Sequence, residues 1–289
     1  MSTVALLIVL AAAIAHASWN VLAHGASRGG IPFLWCAAVA STVLWAVAVP
    51  FTGGIPTEQF SGFLLGIGVS AVLHVAYMLV LQRGYALGGL STVYATARGT
   101  GPLLTVLVAV LFLGERPSPF ALVGVGAVIA GVVALGMVDR TRDALPARRG
   151  PDPAIIAGLL TGVTIAAYTL WDAFAVRSWS IPPVAFMVGC TLLEIPLYTA
   201  ALGRRWGEVR TVLRRQWRIL LAFGVLSPLS YILVLTAVQL APVALVAPLR
   251  EVSVVLVSLF GAFVLREARP GWRVAASAVV VAGIVLIAV

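Results

Sequence analysis

Apolar runs of bilayer-spanning length follow one another almost without interruption along the 289 residues of this chain. A membrane helix needs about 20 mostly apolar residues. Ten stretches meet that requirement: Thr3–Ala23, Ile31–Phe51, Ser61–Gln82, Gly89–Leu113, Pro119–Val138, Ala154–Val176, Pro182–Leu202, Arg218–Gln239, Pro242–Leu265 and Gly271–Val289. The breaks between them carry turn chemistry, at Gly29-Gly30, Gly53-Gly54, Gly88-Gly89, Pro117, Pro242 and Pro270. Charged residues make up only 10% of the chain and hydrophobic ones 61%, whereas soluble domains run near a quarter charged. A soluble domain is therefore excluded, and so is a disordered chain, which needs the opposite balance. The predicted fold class is an all-α integral membrane protein with ten transmembrane helices. No basic segment precedes the first run, which reads as a retained span rather than a cleaved signal.

The chain repeats itself. At an offset of 152 residues Trp19 falls on Trp171, Arg98 on Arg250, Glu115 on Glu267, and Ala130-Gly131 on Ala282-Gly283. His16 and Asn20 fall on Tyr168 and Asp172. Apolar coincidences mean little in so greasy a chain, but matched tryptophans and matched intramembrane arginines mean more. The predicted organisation is two five-helix repeats, residues 1–138 and 154–289, joined by a cytoplasmic linker at residues 139–153. An odd number of spans per repeat inverts the second relative to the first, the plan of secondary transporters whose substrate site lies near the midplane between the halves.

The net charge is +9, and every basic residue is an arginine. In a membrane protein this excess reports orientation rather than nucleic-acid binding. Fifteen arginines fall in the loops after odd-numbered spans and two, Arg116 and Arg177, in the loops after even-numbered ones. The positive-inside rule places residues 139–153 and 203–217 in the cytoplasm and both termini outside. With no lysine there is no Walker loop, so an ATP-driven pump is excluded. No zinc-protease HExxH is present. Cys36 and Cys190 lie inside apolar runs and read as small core residues without metal-ligand spacing. No cofactor and no metal are expected.

Three segments carry a family likeness: HASWN (His16–Asn20), YALGGLSTVYATARGTGPLLTVLVAVLFLGERPS (Tyr85–Ser118), and the second copy AVQLAPVALVAPLREVSVVLVSLFGAFVLREARP (Ala237–Pro270). In these the chain resembles the drug/metabolite transporter superfamily in its ten-helix, twin EamA-domain form. Each half of that family closes its fourth span with a Gly-Glu-Arg-like turn. Here it is Gly114-Glu115-Arg116 and, departing from the motif, Arg266-Glu267-Ala268. The resemblance covers essentially the whole chain. It implies a multi-pass permease of the bacterial inner membrane, and no single substrate.

Arg98 and Arg250 lie roughly 14 and 12 Å deep at 1.5 Å per residue, near the middle of a core about 30 Å thick. An arginine there costs about 2.5–3.5 kcal/mol on insertion scales and persists only beside a partner or water. Two readings follow: an anion clamp made by the planar guanidinium fork, with Tyr94 one turn away, or a structural ion pair with Glu251, Glu194 or Asp172. Around it His16, Asn20 and Trp19 share the end of the first span, with Tyr168, Asp172 and Trp171 in the matching place. These six are candidates for the substrate wall or for interhelical hydrogen bonding. His74, Tyr77, Ser227, Ser230 and Tyr231 are weaker candidates for the same wall. Glu194 and Glu251 are the candidate proton carriers, since a buried carboxyl can couple transport to a proton gradient; a permanent salt bridge is the alternative, favoured for Glu251. Gly99, Gly101 and Pro102 either loosen their helix or pack it closely. Glu115 and Glu267 read as residues that fix the helix 4–5 and 9–10 hairpins.

The expected function is secondary active transport of a small polar metabolite, anionic or zwitterionic, such as an amino acid or organic acid, by alternating access. The expected partners are that substrate, the lipid bilayer and protons, with the chain as a monomer or homodimer. An intramembrane enzyme acting on a lipid-linked substrate, or a non-transporting scaffold, are the competing classes.

Overall fold

The computed structural model describes residues 1–22, 29–87, 90–140, 152–264 and 270–288. They form α1 (Thr3–Leu22), α2 (Gly30–Ala46), α3 (Phe60–Leu87), α4 (Leu90–Leu111), α5 (Pro119–Arg140), α6 (Pro153–Ser178), α7 (Pro183–Leu202), α8 (Trp206–Leu240), α9 (Val243–Arg250), α10 (Val252–Phe263) and α11 (Pro270–Ala288). α9 and α10 together make one apolar crossing, Val243–Phe263, so nine helices of spanning length and the shorter α2 give ten crossings among the described residues. No strand occurs among them. Helix is what hydrocarbon demands, because each backbone N–H and C=O must find a partner within its own segment. Prolines open α5, α6, α7 and α11, where the missing N–H costs nothing. Asp152 caps α6 by accepting from the Ala154 N–H at 2.9 Å. Residues 141–151 of the predicted linker, Glu267, and Arg28, Arg142, Arg148, Arg149, Arg266 and Arg269 of the orientation argument lie outside the described residues.

Two elements differ from the sequence expectation. The polar stretch at residues 203–217 is helical from Trp206, because Val209 and Val212, three apart on one face, bury against Phe33, Leu202 and Leu220. A non-helical Gln216 (φ −124°, ψ 17°) separates this arginine-rich helix from the crossing that follows. The ninth span is also broken. Pro248 has no N–H to give, the Glu251 N–H bonds back only three residues to the Pro248 carbonyl (3.0 Å), and α9 stops at Arg250.

The two halves interleave. α1 packs on α8 and α10, α3 on α6 and α7, and α4 on α6 and α9. α5 packs along α11, its counterpart in the repeat. There a Cβ on Gly124 would lie 2.6 Å from the Gly283 carbonyl oxygen, and one on Gly283 would lie 2.6 Å from the Gly124 oxygen. A Cβ on Gly131 would lie 3.0 Å from the Ala276 oxygen. Shifted by 152 residues, Gly124 becomes Ala276 and Gly131 becomes Gly283, so the two contacts are one contact seen twice across an approximate two-fold axis. Small residues let these backbones meet where a larger side chain would hold them apart. Gly101 is used the same way, against Ile165 and the Gly162 carbonyl. α4 runs unbroken past Gly99, Gly101 and Pro102, which favours close packing over a loosened helix.

Candidate functional site

Interleaving brings the two intramembrane arginines to one place. Arg98, on α4, donates from Nη1 to both oxygens of Glu251, at 3.1 and 3.3 Å, and from Nη2 to His16 Nε2 on α1 at 3.0 Å. A guanidinium has only donors, so His16 presents its lone pair there. The Tyr94 ring centroid lies 5.1 Å from the Arg98 guanidinium carbon, within cation–π range. Arg250, at the end of α9, donates from Nη2 to the Tyr168 hydroxyl on α6 at 3.3 Å. Its Nε is 3.9 Å from Glu251 Oε1 and is buried without a hydrogen-bond partner among the described residues. Arg98, Arg250 and Glu251 are 7%, 5% and 1% exposed, so bulk water does little to screen them.

The repeat is legible in these contacts and so is its breakage. Arg98 to His16 and Arg250 to Tyr168 each join residues 82 apart, and one pair is the other displaced by 152. Glu251 has no such counterpart, because the equivalent position is Gly99. One carboxylate serves two arginines and is hydrogen-bonded to Arg98. Arg250 is left with a neutral hydroxyl as its hydrogen-bond partner.

Two further buried carboxylates, Asp172 and Glu194, have no arginine in ion-pair contact among the described residues. The Tyr231 hydroxyl on α8 donates to Asp172 Oδ2, and His74 Nε2 on α3 lies 4.0 Å from the same oxygen. Asp172 Oδ1 is buried without a hydrogen-bond partner among the described residues. Glu194 is 9% exposed and is approached by the Cys190 thiol at 3.8 Å. His74 stacks on Tyr168 at 4.3 Å, and Tyr231 meets both rings edge-on at 5.3 and 6.0 Å. Tyr168 touches Arg250 through its hydroxyl and His74 through its ring, so the aromatic group bridges the guanidinium and carboxylate ends. The first end offers guanidinium donors, the chemistry that pairs with anions, and the second a carboxylate and ring faces, the chemistry that pairs with cations.

Other sequence candidates turn elsewhere. The Asn20 amide donates to the His16 carbonyl of its own helix at 2.8 Å, closing on the backbone rather than on a shared wall. Trp171 donates to the Gly66 carbonyl at 3.0 Å and packs on Phe174 and Trp179. Trp19 packs edge-on to His16 and Phe223, its Nε1 buried without a hydrogen-bond partner among the described residues. A cleft of about 310 Å³ between α4 and α5, lined by Thr92, Thr96, Gly99, Thr100 and Met137 among others, opens on a different face of α4 from Arg98. Sequence reasoning missed Ser70 and Cys190. The available signal was the four-residue spacing of Cys190 and Glu194, and of Ser70 and His74, which puts each pair on one helix face.

The sequence expectation for Glu115 is its own hairpin, but its carboxylate reaches the second repeat instead. Its two oxygens accept from the Val243 and Ala244 N–H groups at 2.9 Å each, capping α9, and it pairs with Arg177 at 2.9 Å. Arg177 in turn donates to the Val238 and Ala241 carbonyls at the end of α8. A carboxylate at a helix start and a guanidinium at a helix end each meet the favourable pole of the helix dipole. The clasp joins the first repeat to the α8–α9 turn of the second. We expect Glu115→Ala to lower stability by about 1–2 kcal/mol, and Glu115→Gln to retain part of it through one amide oxygen. Thermal melts of the detergent-purified variants check this, and equal melting of wild type and Glu115→Ala would reject the clasp.

Comparison with known proteins bears on the family and the fold. The chain matches the EamA-like transporter family over residues 3–137 and again over residues 152–289. It is 36% identical over 102 residues to a multidrug transporter of Pseudomonas aeruginosa, covering 35% of this chain and 83% of that one. It is 38% identical over 106 residues to the multidrug resistance protein mmr of Mycolicibacterium paratuberculosis, covering 36% and 92%. Against a guanidinium exporter of Citrobacter freundii it is 27% identical over 93 residues, covering 32% and 83%. These relatives are named as transporters or resistance proteins, and none as an enzyme. A solved structure superimposes with a TM-score of 0.72 at 21% identity, over 99% of this chain and 96% of that one, which establishes the fold. With the family matched in each half, and with helices apolar enough to cross a membrane throughout, the chain is a multi-pass membrane protein that belongs to the EamA-like transporter family.

Proposed function

We propose that this transporter moves a small anionic or zwitterionic metabolite, such as an organic acid or an amino acid, by alternating access, with Arg250 as the group that grips the substrate anion. The observation that carries the reading is the broken symmetry around Glu251. Arg98 spends its donors on Glu251 and His16, whereas Arg250 keeps a buried Nε without a hydrogen-bond partner among the described residues. Its planar fork suits a carboxylate. Asp172, with the rings of His74, Tyr168 and Tyr231 beside it, supports an ammonium or guanidinium group on the same substrate. The rocking of one repeat against the other would expose this place to each side in turn. Export is the direction that the named functions of the relatives favour.

A second reading rests on the same Asp172 and on those relatives: a purely cationic substrate, held by the carboxylate and the rings, with Arg250 as a structural group. Proteoliposomes separate the two. Counterflow of labelled amino acids and organic acids, competed by guanidinium or tetraalkylammonium ions, supports the first reading if only the carboxylate-bearing compounds exchange. It supports the second if only the cations do.

Glu194 is the proposed proton carrier. It is deep in α7, without an arginine partner among the described residues, and able to exchange a proton as the site changes sides. Glu194→Gln is expected to remove transport driven by a pH gradient while leaving exchange at equal pH largely intact, since an amide hydrogen-bonds but carries no proton. Equal loss of both modes in proteoliposomes would assign Glu194 a structural role instead.

A further inference from the structure

We propose that His74, Cys190 and Glu194 form a binding site for a divalent cation of the zinc class, placed between the two repeats. The sequence shows no metal-ligand spacing because the donors come from two helices, His74 from α3 and the other two from α7, 116 residues away at the nearer. In the fold one donor atom from each residue lies within 4.8 Å of the other two. Cys190 Sγ is 3.9 Å from His74 Nδ1 and 3.8 Å from Glu194 Oε1. Metal bonds of about 2.0–2.3 Å at a tetrahedral centre put donors roughly 3.3–3.6 Å apart, so modest side-chain rotations complete the set. An imidazole nitrogen, a thiolate and a carboxylate oxygen are the ligand types that zinc and its heavier analogue cadmium accept. Three protein ligands leave a fourth position for water or Ser70 Oγ, which is 3.3 Å from the sulfur and 3.2 Å from Nδ1.

Charge and the surrounding groups argue the same way. A divalent cation with a thiolate and a carboxylate is neutral, which is the form a buried, low-dielectric place tolerates. Binding releases the Cys190 thiol proton, and that of Glu194 where it is protonated, to solvent. His74 Nδ1 now donates to the Ser70 carbonyl at 3.0 Å. On taking the metal it gives up that hydrogen, and Nε2 carries the ring proton toward Asp172 Oδ2, 4.0 Å away. A carboxylate behind a ligating imidazole is the arrangement that fixes a metal-bound histidine. Tyr231, which donates to that same oxygen, holds Asp172 in position. Because α3 belongs to the first repeat and α7 to the second, a bound cation staples the halves and stops their rocking.

The test reads binding without transport, so its failure leaves the substrate reading standing. Purified full-length protein in detergent is titrated with Zn2+ by calorimetry and with Co2+ by absorption spectroscopy. The expected result is one ion per chain, and a Co2+ spectrum with a thiolate-to-metal charge-transfer band and tetrahedral visible bands. The Cys36→Ala variant keeps that band and Cys190→Ser abolishes it. Asp172→Asn, which removes the group behind the histidine, weakens binding by about 10–100-fold. Gel-filtration profiles confirm that each variant is folded, and the wild-type spectrum decides the question even if Cys190→Ser is not. A wild-type Co2+ spectrum without a thiolate band, or one-to-one binding unchanged in Cys190→Ser, overturns the proposal.

Discussion

Arg250→Ala is expected to abolish transport while the protein still inserts, folds and melts close to wild type. Arg250 has a neutral hydroxyl as its hydrogen-bond partner, and Glu251 remains paired with Arg98 when Arg250 is gone. Removing it therefore strands no charge, and it relieves the cost of keeping a guanidinium in the bilayer interior. What is lost is the substrate's anion partner. Losing one member of a desolvated charge pair costs about 2–5 kcal/mol of binding, or roughly 30- to several-thousand-fold in affinity. Arg250→Lys should recover little, because an ammonium lacks the planar fork that meets two oxygens at once. Counterflow in proteoliposomes, beside gel-filtration profiles of the same preparations, provides the measurement. Full transport by Arg250→Ala would sink the reading, and a variant that aggregates would show that Arg250 holds the fold instead.

The elements of this protein announce themselves in the chain because the bilayer imposes one rule on all of them: about 20 apolar residues, then a turn. The repeat is legible for a related reason. Costly residues such as Arg98, Arg250, Trp19 and Trp171 stand out against an apolar background, and their shared offset survives. Pairing is where the sequence goes silent. Glu251 adjoins Arg250, yet its hydrogen bonds go to Arg98, 153 residues away. That partnership depends on the helix break at Pro248–Glu251; a proline inside the span warns of a break, but nothing local says which distant residue it will bring to Glu251. Asn20 and Asp172 occupy equivalent places, but the amide finds a carbonyl on its own helix whereas the carboxylate, having no donor of its own, reaches across to Tyr231. Glu115 was legible as a turn residue and not as a cap, because the N–H groups it serves open α9, 128 and 129 positions further on.

Arg98 and Glu251 should behave in the opposite way to Arg250. Both are buried, their contact spans the two repeats, and each is the other's charged hydrogen-bond partner. Arg98→Ala leaves a carboxylate with only the 3.9 Å approach of Arg250, and Glu251→Gln leaves two guanidinium groups without their shared anion. Breaking one side of a buried pair costs about 3–5 kcal/mol, a drop on the order of 10 °C in melting temperature for a chain of this size. The double variant Arg98→Met with Glu251→Gln removes both charges, and a buried pair replaced by groups of similar volume is often no less stable than the original. It should therefore melt above either single variant, although it transports poorly, because Arg250 has lost the carboxylate that helps to orient it. Melting curves of the three variants decide the matter. If the single changes leave stability untouched and the double one is additive, the ion pair is not what joins the halves, and Arg98 belongs with Arg250 among the groups that meet the substrate.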